Sequence, residues 1–329
     1  MKQRQLSQTD LWLSEIGLGG ASIGNLYKEA SFEDCYETIH KALISGICYF
    51  DTAPEYGHGL SERRMGDILR EIKRDNFVLS TKVGDFLYAR HDQLPAASKF
   101  IKPLPFHLRY DYSYDGIMRG FEDSLQRLGL NRIDIILVHD LDPIIHDEKK
   151  FPEHFKTYID SGYSALEKLR SEGVIKAIGL GVKKWEVCEK ALKYGDYECF
   201  MLQGNYTLLE QPAHAFLTHT CLAKRISVLL AGPYASGILA TGAKKGAYFH
   251  HQAADEVILQ KVKKIQTICD SFQIPMQAAA MQFPLLHPAI VSVVVGTSSP
   301  RLIDANINFA KIDIPMELWS ALKEAGVGQ

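Results

Sequence analysis

The chain lacks the features typical of membrane, secreted and nucleic-acid-binding proteins. No segment reaches the roughly 18 consecutive apolar residues that a membrane-spanning helix needs, and residues 1–17 contain no apolar run typical of a signal peptide. The formal net charge is −2, so no strongly basic surface is expected to attract nucleic acid. These absences predict a cytoplasmic protein that binds neither membranes nor nucleic acids.

Metal-binding and disulfide patterns are missing as well. Six cysteines are present, but none forms a C-x-x-C pair or has the spacing of metal ligands. Reduced, mostly buried thiols are therefore expected rather than a disulfide framework. The sequence also has no H-E-x-x-H zinc helix and no G-K-S or G-K-T phosphate loop. No metal is expected.

The chain does contain a regular alternation of short apolar runs and amphipathic segments. Its 329 residues suffice for two average domains or for one large α/β barrel. Segments such as 32–46 and 114–129 carry apolar residues every three or four positions, which indicates helices. The apolar runs predicted as strands are 14–19, 47–51, 77–82, 133–139, 175–181, 199–203, 226–231 and 290–296.

Eight strand–helix units predict a closed parallel (β/α)8 TIM barrel of the α/β class, with residues 1–329 as one domain. An open doubly wound sheet is the alternative, and it is disfavoured because no G-x-G-x-x-G follows the first strand. Three connections, 83–113, 140–160 and 232–254, exceed the usual length. Each follows the carboxyl end of a strand, so long loops are expected at the face where barrels build their sites.

Four polar residues are predicted to meet at this face. Asp51 ends the second strand and Tyr56 follows in its loop, whereas Lys82 and His139 end the third and fourth strands. Each alone has an ordinary structural explanation as a turn residue, a surface aromatic or a polar strand end. The carboxyl ends of successive barrel strands are neighbours, however, so the four side chains should converge. In the same stretch, Ser61 is predicted to cap the following helix.

Together the four side chains suit proton transfer. A phenol with a pKa near 10 is a poor acid or base at neutral pH, and an adjacent ammonium is expected to lower that pKa. The carboxylate of Asp51 would keep Lys82 charged and in place. His139 would orient the substrate oxygen and donate a hydrogen bond to it.

The stretch FDTAPEYGHGLSERRMG and the order of Asp51, Tyr56, Lys82 and His139 resemble the signature and catalytic tetrad of the aldo-keto reductases. The resemblance extends from about residue 5 to residue 320. It implies a (β/α)8 barrel that binds a nicotinamide dinucleotide across its mouth and transfers hydride between nicotinamide C4 and a substrate carbon. It also implies that Tyr56 exchanges the proton, that Lys82 and Asp51 tune the tyrosine, and that His139 orients the substrate.

The resemblance also implies a set of cofactor contacts, with Asn306 at the adenine. Beside Asn306 the implied contacts are Gly19, Gly20, Asp51, Gln203, Gly296, Thr297 and Ser298. The chain departs from the family pattern at Gly181 and Val182, where many members have Ser-Asn, and at Ala231, where many stack a tyrosine on the nicotinamide.

The choice between the two dinucleotides depends on the end of the eighth strand. Many NADP-dependent members have cationic residues at two positions that are occupied by Gly296 and Leu302 in this chain, and Arg301 is the nearest cation. NAD is therefore expected, and NADP is the alternative.

The segments VHDLD, GLGVKKWEVC and YTLLEQ are similar to the aldose 1-dehydrogenase branch, which includes L-fucose and D-threo-aldose dehydrogenases, and to pyridoxal 4-dehydrogenases. This similarity implies oxidation of a cyclic hemiacetal to a lactone with NAD⁺. The substrate residues expected from it and from the long loops are Tyr56, His139, Asp140, Tyr110 and Tyr112, with Asp142 as a further candidate. The alternatives are an NADPH-dependent aldehyde or ketone reductase and a cofactor-binding regulatory subunit.

Overall fold

The computed structural model describes residues 1–92, 98–244, 246–249 and 252–328, and its centre is a closed barrel of eight parallel strands. The barrel strands, labelled in chain order, are β1 Ile16–Gly19, β2 Tyr49–Asp51, β3 Val78–Val83, β4 Ile135–His139, β5 Ala177–Val182, β6 Cys199–Gln203, β7 Ser227–Ala231 and β8 Ile290–Gly296. Each strand pairs with its neighbours in sequence, and β8 pairs with β1 to close the barrel. The predicted (β/α)8 barrel is confirmed.

Helices cover the outside of the barrel. Their bounds are α1 Phe32–Ile44, α2 Leu60–Leu69, α3 Tyr114–Leu128, α4 Lys150–Thr157, α5 Tyr163–Ser171, α6 Trp185–Ala191, α7 Leu222–Lys224, α8 Ile238–Thr241, α9 Glu256–Ser271, α10 Met276–Gln282, α11 Pro300–Lys311 and α12 Met316–Glu324. Side-chain caps fix several starts: Ser31 accepts from the Asp34 amide and Ser113 from the Gly116 amide. Among the described residues, no helix combines the length and apolar character needed to cross a bilayer.

An N-terminal hairpin closes the end of the barrel opposite the site. Gln3–Gln5 pairs antiparallel with Trp12–Ser14, and Leu6 and Leu13 are fully buried against the barrel interior. The sequence analysis assigned residues 14–19 to one strand, whereas Ser14 belongs to this hairpin and β1 starts at Ile16. The hairpin leaves the opposite end of the barrel as the open mouth.

The first long connection folds across the open mouth. Its strands Asp85–Tyr88 and His107–Tyr110 form an antiparallel hairpin beyond β3. The segment at Phe100 then pairs with the loop after β1, where the amide of Tyr27 donates to the carbonyl oxygen of Lys99 at 2.9 Å. The backbone amide of Leu104 donates to Gly57, next to Tyr56. The described part of this connection is therefore a folded wall over the cavity, and residues 93–97 lie outside the described ranges.

Candidate active site

A cavity of about 370 Å³ opens at the carboxyl ends of the barrel strands. All four predicted tetrad residues line it. Its remaining lining residues are Gly19, Ala21, Leu26, Tyr27, Glu55, Lys99, Phe100, Asp140, Gly181, Val182, Lys183, Met201, Gln203, Ala231, Gly232, Val294 and Gly296. Residues distant in sequence thus converge at one mouth, as the strand order requires.

Asp51 and Lys82 form a buried ion pair at the base of the cavity. Each is 2% exposed, and the Lys82 ammonium lies 2.9 and 2.7 Å from the two carboxylate oxygens of Asp51. Lys82 also donates to the carbonyl oxygen of Thr52 at 2.8 Å, and the Ser80 hydroxyl donates to Asp51 at 2.7 Å. Asp51 and Thr52 stand at the end of β2 and Lys82 near the end of the adjacent β3, so two paired strands place the ammonium beside the tyrosine.

Tyr56 lies over this pair. The Lys82 Nζ atom is 4.8 Å from the centroid of the Tyr56 ring, and the rings of Phe100 and His139 pack at 6.0 and 5.9 Å. Burial raises the pKa of Tyr56 well above its usual value, and the nearby carboxylates, led by Asp51, raise it further. The sequence analysis expected Lys82 to lower this pKa, but Asp51 neutralises the ammonium. Tyr56 is therefore a protonated phenol at neutral pH.

His139 is buried beside Tyr56, with carboxylates at both ring nitrogens. Its Nδ1 atom is 3.4 Å from Asp85 Oδ2, and its Nε2 atom is 3.9 Å from Glu55 Oε2. Burial alone lowers the pKa of His139, but the carboxylates of Asp140, Asp85 and Glu55 outweigh it, so that the net shift is upward. The sequence analysis did not identify Glu55 or Asp85. Their positions, directly before Tyr56 and three residues after Lys82, are the only signal that the sequence offers.

Two charged groups that sequence reasoning missed form one wall of the cavity. The Lys99 ammonium lies 3.0 Å from Glu55 Oε1, and the same lysine lies over the ring of Phe100. Asp140, which was predicted, has a positive φ of 49° that brings it to the cavity while its amide donates to the carbonyl oxygen of Gly181. The mouth therefore offers a substrate both anionic acceptors and a cationic donor.

Asp142 has a different place from the predicted one. Its Oδ2 atom accepts from the amides of Lys183 and Lys184 at 2.8 and 2.7 Å, and its Oδ1 atom accepts from Ile144. Asp142 is fully buried and does not line the cavity. It joins the loop after β4 to the loop after β5 and is not available to substrate hydroxyls.

Tyr110 and Tyr112 also stand behind the cavity rather than in its lining. The Tyr112 hydroxyl donates to the carbonyl oxygen of His139 at 2.8 Å and lies 2.9 Å from His146 Nε2. Tyr110 stacks on Tyr112 at 6.1 Å. Neither ring is therefore placed where the sequence analysis expected it: Tyr112 supports the His139 backbone, and Tyr110 packs on Tyr112. Beside Tyr56 and His139, the aromatic side chains that line the cavity are Phe100 and Tyr27.

Some of the predicted cofactor residues line the cavity, and others pack behind it. Gly19, Gln203 and Gly296 line the cavity, whereas Gly20 lies behind it. The amide of Gly20 donates to the Asp51 carbonyl oxygen, and a Cβ atom on Gly20 would approach the Ser61 hydroxyl to 2.5 Å. Gly20 therefore fixes the β1 end against β2 by close packing.

Ser61 is not the helix cap that the sequence predicts. Helix α2 begins at Leu60 after Gly59, whose φ is 94°, so Ser61 lies inside the first turn. Its hydroxyl donates to the Gly20 carbonyl oxygen at 2.8 Å and accepts from Thr52. The serine therefore ties α2 to the ends of β1 and β2.

The chain beyond β8 has the features of a phosphate-binding turn. Thr297 and Ser298 lead into α11, a 12-residue helix whose N-terminus has no side-chain cap and leaves amide donors for an anion. At Gly296 an added Cβ atom would come no closer than 3.6 Å to any neighbour, so the backbone there is accessible. Asn306, in α11, is buried and accepts a hydrogen bond from the Tyr234 hydroxyl at 2.6 Å. The stretch therefore offers an accessible backbone and free amide donors that could hold an anionic group of a cofactor.

The fold and the site together define the class. A (β/α)8 barrel with a tyrosine, a histidine and a buried lysine–aspartate pair at its mouth has groups that can transfer a proton at a substrate oxygen. The model of the aldo/keto reductase family matches residues 15–326, and the chain belongs to this family. It is therefore an oxidoreductase that acts on CH–OH donors with a nicotinamide cofactor.

Individual relatives agree with the branch that the sequence motifs indicated. A pyridoxal 4-dehydrogenase of Microbacterium luteolum is 37% identical, covering 99% of this chain and 98% of its own. A D-threo-aldose 1-dehydrogenase of a Pseudomonas species is also 37% identical, with coverage of 96% and 94%. Among solved structures, the holo form of an aldo-keto reductase from Bacillus halodurans is similar with a TM-score of 0.75 and 25% identity, covering 98% of this chain and 96% of that one.

Proposed function

We propose that the protein oxidises the hemiacetal of an aldose, of the L-fucose or D-threo-aldose type, to a lactone with NAD⁺. The observation that carries the proposal is the complete tetrad at the base of one cavity whose wall also contains Glu55 and Asp140. Carboxylates accept hydrogen bonds from sugar hydroxyls. The 37% identity to a D-threo-aldose 1-dehydrogenase over nearly the whole chain supports the same substrate class.

The tetrad residues have separate roles in this reaction. When bound, the nicotinamide ring supplies the hydride acceptor. The C1–H bond of the sugar breaks with loss of a hydride, the O–H proton passes to the deprotonated hydroxyl of Tyr56, and the C=O bond of the lactone forms. Lys82, held in an ion pair with Asp51, positions the phenol. His139 donates a hydrogen bond from Nε2 to the reacting oxygen.

Pyridoxal is the second candidate substrate. The pyridoxal 4-dehydrogenase is as similar to this chain as the aldose enzyme, at 37% identity. Pyridoxal also forms a cyclic hemiacetal, so the same residues would give 4-pyridoxolactone. Phe100 and Tyr27 in the cavity lining offer apolar rings to the pyridine.

We infer NAD rather than NADP from the end of the eighth strand. Gly296 offers no side chain, Leu302 is an apolar residue that is 55% exposed, and Arg301 is an exposed single cation. A 2′-phosphate is usually held by several charged donors.

We also propose that residues 1–329 act as one barrel domain. A cytoplasmic location is part of the proposal, because all six cysteines are free.

Initial rates of absorbance gain at 340 nm test the proposed substrate and cofactor. The panel contains L-fucose, D-arabinose, L-galactose, D-glucose and pyridoxal, each with NAD⁺ and with NADP⁺. Saturable turnover of a sugar with NAD⁺ is expected, and turnover of pyridoxal alone transfers the proposal to the second candidate. Reduction of simple aldehydes with NADPH, without any oxidation, contradicts both and identifies a carbonyl reductase. Cofactor binding with no turnover in either direction identifies a regulatory subunit.

The pH dependence of the oxidation follows from the raised pKa of Tyr56. Because only the deprotonated phenol accepts the substrate proton, kcat for oxidation is expected to rise with pH below the pKa of His139, by up to about tenfold per pH unit, and to level off above it, where loss of a proton from His139 offsets the gain. Reduction of a carbonyl compound with NADH uses the protonated phenol and is not expected to rise. Steady-state kcat at constant ionic strength measures both. A kcat for oxidation that does not rise with pH below this plateau contradicts Tyr56 as the base.

A further inference from the structure

We propose that Asp85 is the positioning residue of His139: its buried carboxylate accepts a hydrogen bond from Nδ1–H and keeps the imidazole doubly protonated, so that Nε2–H faces the reacting oxygen. The inference rests on the proposed function and adds one residue to it. Asp85 is 1% exposed, and its Oδ2 atom is 3.4 Å from His139 Nδ1. A carboxylate that accepts a hydrogen bond from one imidazole nitrogen keeps that nitrogen protonated and fixes the orientation of the ring.

The buried carboxylate of Asp85 depends on His139 for its hydrogen bond and its charge partner. Within the described part of the chain, Asp85 Oδ1 has no hydrogen-bond partner, and His139 is the one basic side chain within 4.0 Å of the carboxylate. A buried carboxylate without a cation is costly, whereas a carboxylate beside an imidazolium forms a charge pair. The ion pair is therefore the form of the two groups that this environment stabilises.

The backbone around Asp85 is built to hold its side chain in this place. Gly84 has a φ of 98°, and a Cβ atom there would approach the Tyr112 ring to 2.5 Å, so only glycine makes this turn without strain. Asp85 then pairs with Tyr110 in the hairpin, and the amide of Asp111 donates to the Gly84 carbonyl oxygen at 2.8 Å. The Tyr112 hydroxyl holds the backbone of His139 from the other side. Both partners are thus fixed by the same hairpin.

Several titratable groups other than Asp85 face His139. The loop after β2 contributes Glu55 and Tyr56, the first long connection contributes Lys99 and Tyr112, and His139 is followed directly by Asp140; Lys82 of β3 lies under Tyr56. Glu55 is shared with Lys99, at 3.0 Å, and lies 3.9 Å from Nε2. Among the acids that the structure describes, Asp85 alone lies within 3.5 Å of an imidazole nitrogen of His139, and that nitrogen is Nδ1. The upward shift in the pKa of His139 agrees with this arrangement.

The test is a titration of His139 in the Asp85→Asn variant. Asparagine keeps the shape and removes the charge, so the pKa of His139 is expected to fall by about 1–3. NMR of the imidazole resonances, assigned by their loss in His139→Asn, measures the pKa in the protein without substrate. Asp111→Asn is the matched control. It removes a carboxylate next to the same hairpin, but this carboxylate accepts hydrogen bonds from the amide and hydroxyl of Ser113 and does not face His139.

Kinetics give the second readout. We expect kcat/KM for hemiacetal oxidation in Asp85→Asn to fall about tenfold at neutral pH, with the limb of the pH profile due to His139 displaced to lower pH. An unchanged His139 pKa in a variant that melts at the wild-type temperature overturns the assignment of Asp85. Failure of the wild type to oxidise any hemiacetal overturns the proposed function instead, and the NMR titration still decides the role of Asp85.

Discussion

Tyr56→Phe is expected to lower kcat for hemiacetal oxidation by about 10²–10⁴ while nicotinamide dinucleotide binds as tightly as to the wild type. The substitution removes one hydroxyl from a ring that stays packed between Lys82, Phe100 and His139. Because the ring remains, the cavity keeps its shape and the loss falls on proton transfer. Single-turnover rates and fluorescence titration with the dinucleotide separate the two quantities.

Tyr36→Phe serves as the matched control for this experiment. Tyr36 is 48% exposed on α1 and stacks on His40, away from the cavity lining. Its loss should leave kcat unchanged. If Tyr56→Phe retains the wild-type kcat, another group transfers the proton. If dinucleotide binding weakens as much as kcat falls, the effect of the substitution is structural, and either result contradicts the assigned role.

The sequence is sufficient to predict the barrel and the convergence of four polar side chains at its mouth, because both follow from local patterns. A strand end is visible as the last residue of an apolar run, and closed parallel topology then determines which strand ends are neighbours. Asp51, Lys82 and His139 are predicted correctly to line one cavity for this reason. Strand bounds differ from the predicted ones by at most two residues, as in β4, which starts at Ile135 rather than at residue 133.

The parts that the sequence does not reveal depend on contacts between distant segments. Lys99 reaches Glu55 only because residues 98–104 fold back over the loop after β1 and over Gly57. Asp85 becomes a partner of His139 through a hairpin that no periodic pattern announces. Ser61 follows the rule for a helix cap, but tertiary contacts with Gly20 and Thr52 determine its bonds.

Lys82→Met is expected to lower the free energy of unfolding by about 3–5 kcal/mol, the second large effect that the structure predicts. The substitution leaves the Asp51 carboxylate buried with Ser80 as its remaining hydrogen-bond donor. Urea denaturation at neutral pH measures the change, since the transition midpoint reports stability when the slope is constant. Loss of activity is expected as well, because the ammonium no longer lies against Tyr56.

A double-mutant cycle with Asp51→Asn separates charge pairing from packing. In the double variant no buried charge is left without a partner, so most of the stability lost in Lys82→Met should return, with a coupling energy of several kcal/mol. Activity should not return, because the tetrad is still incomplete. Lys102→Met is the control: its ion pair with Glu29 is 2.8 Å long but lies at the surface, and its loss should cost about 1 kcal/mol or less. If the losses of unfolding free energy in the two single variants prove additive in the double variant, Asp51 and Lys82 contribute no coupling energy. The placement of Lys82 beside Tyr56 must then come from the strands alone.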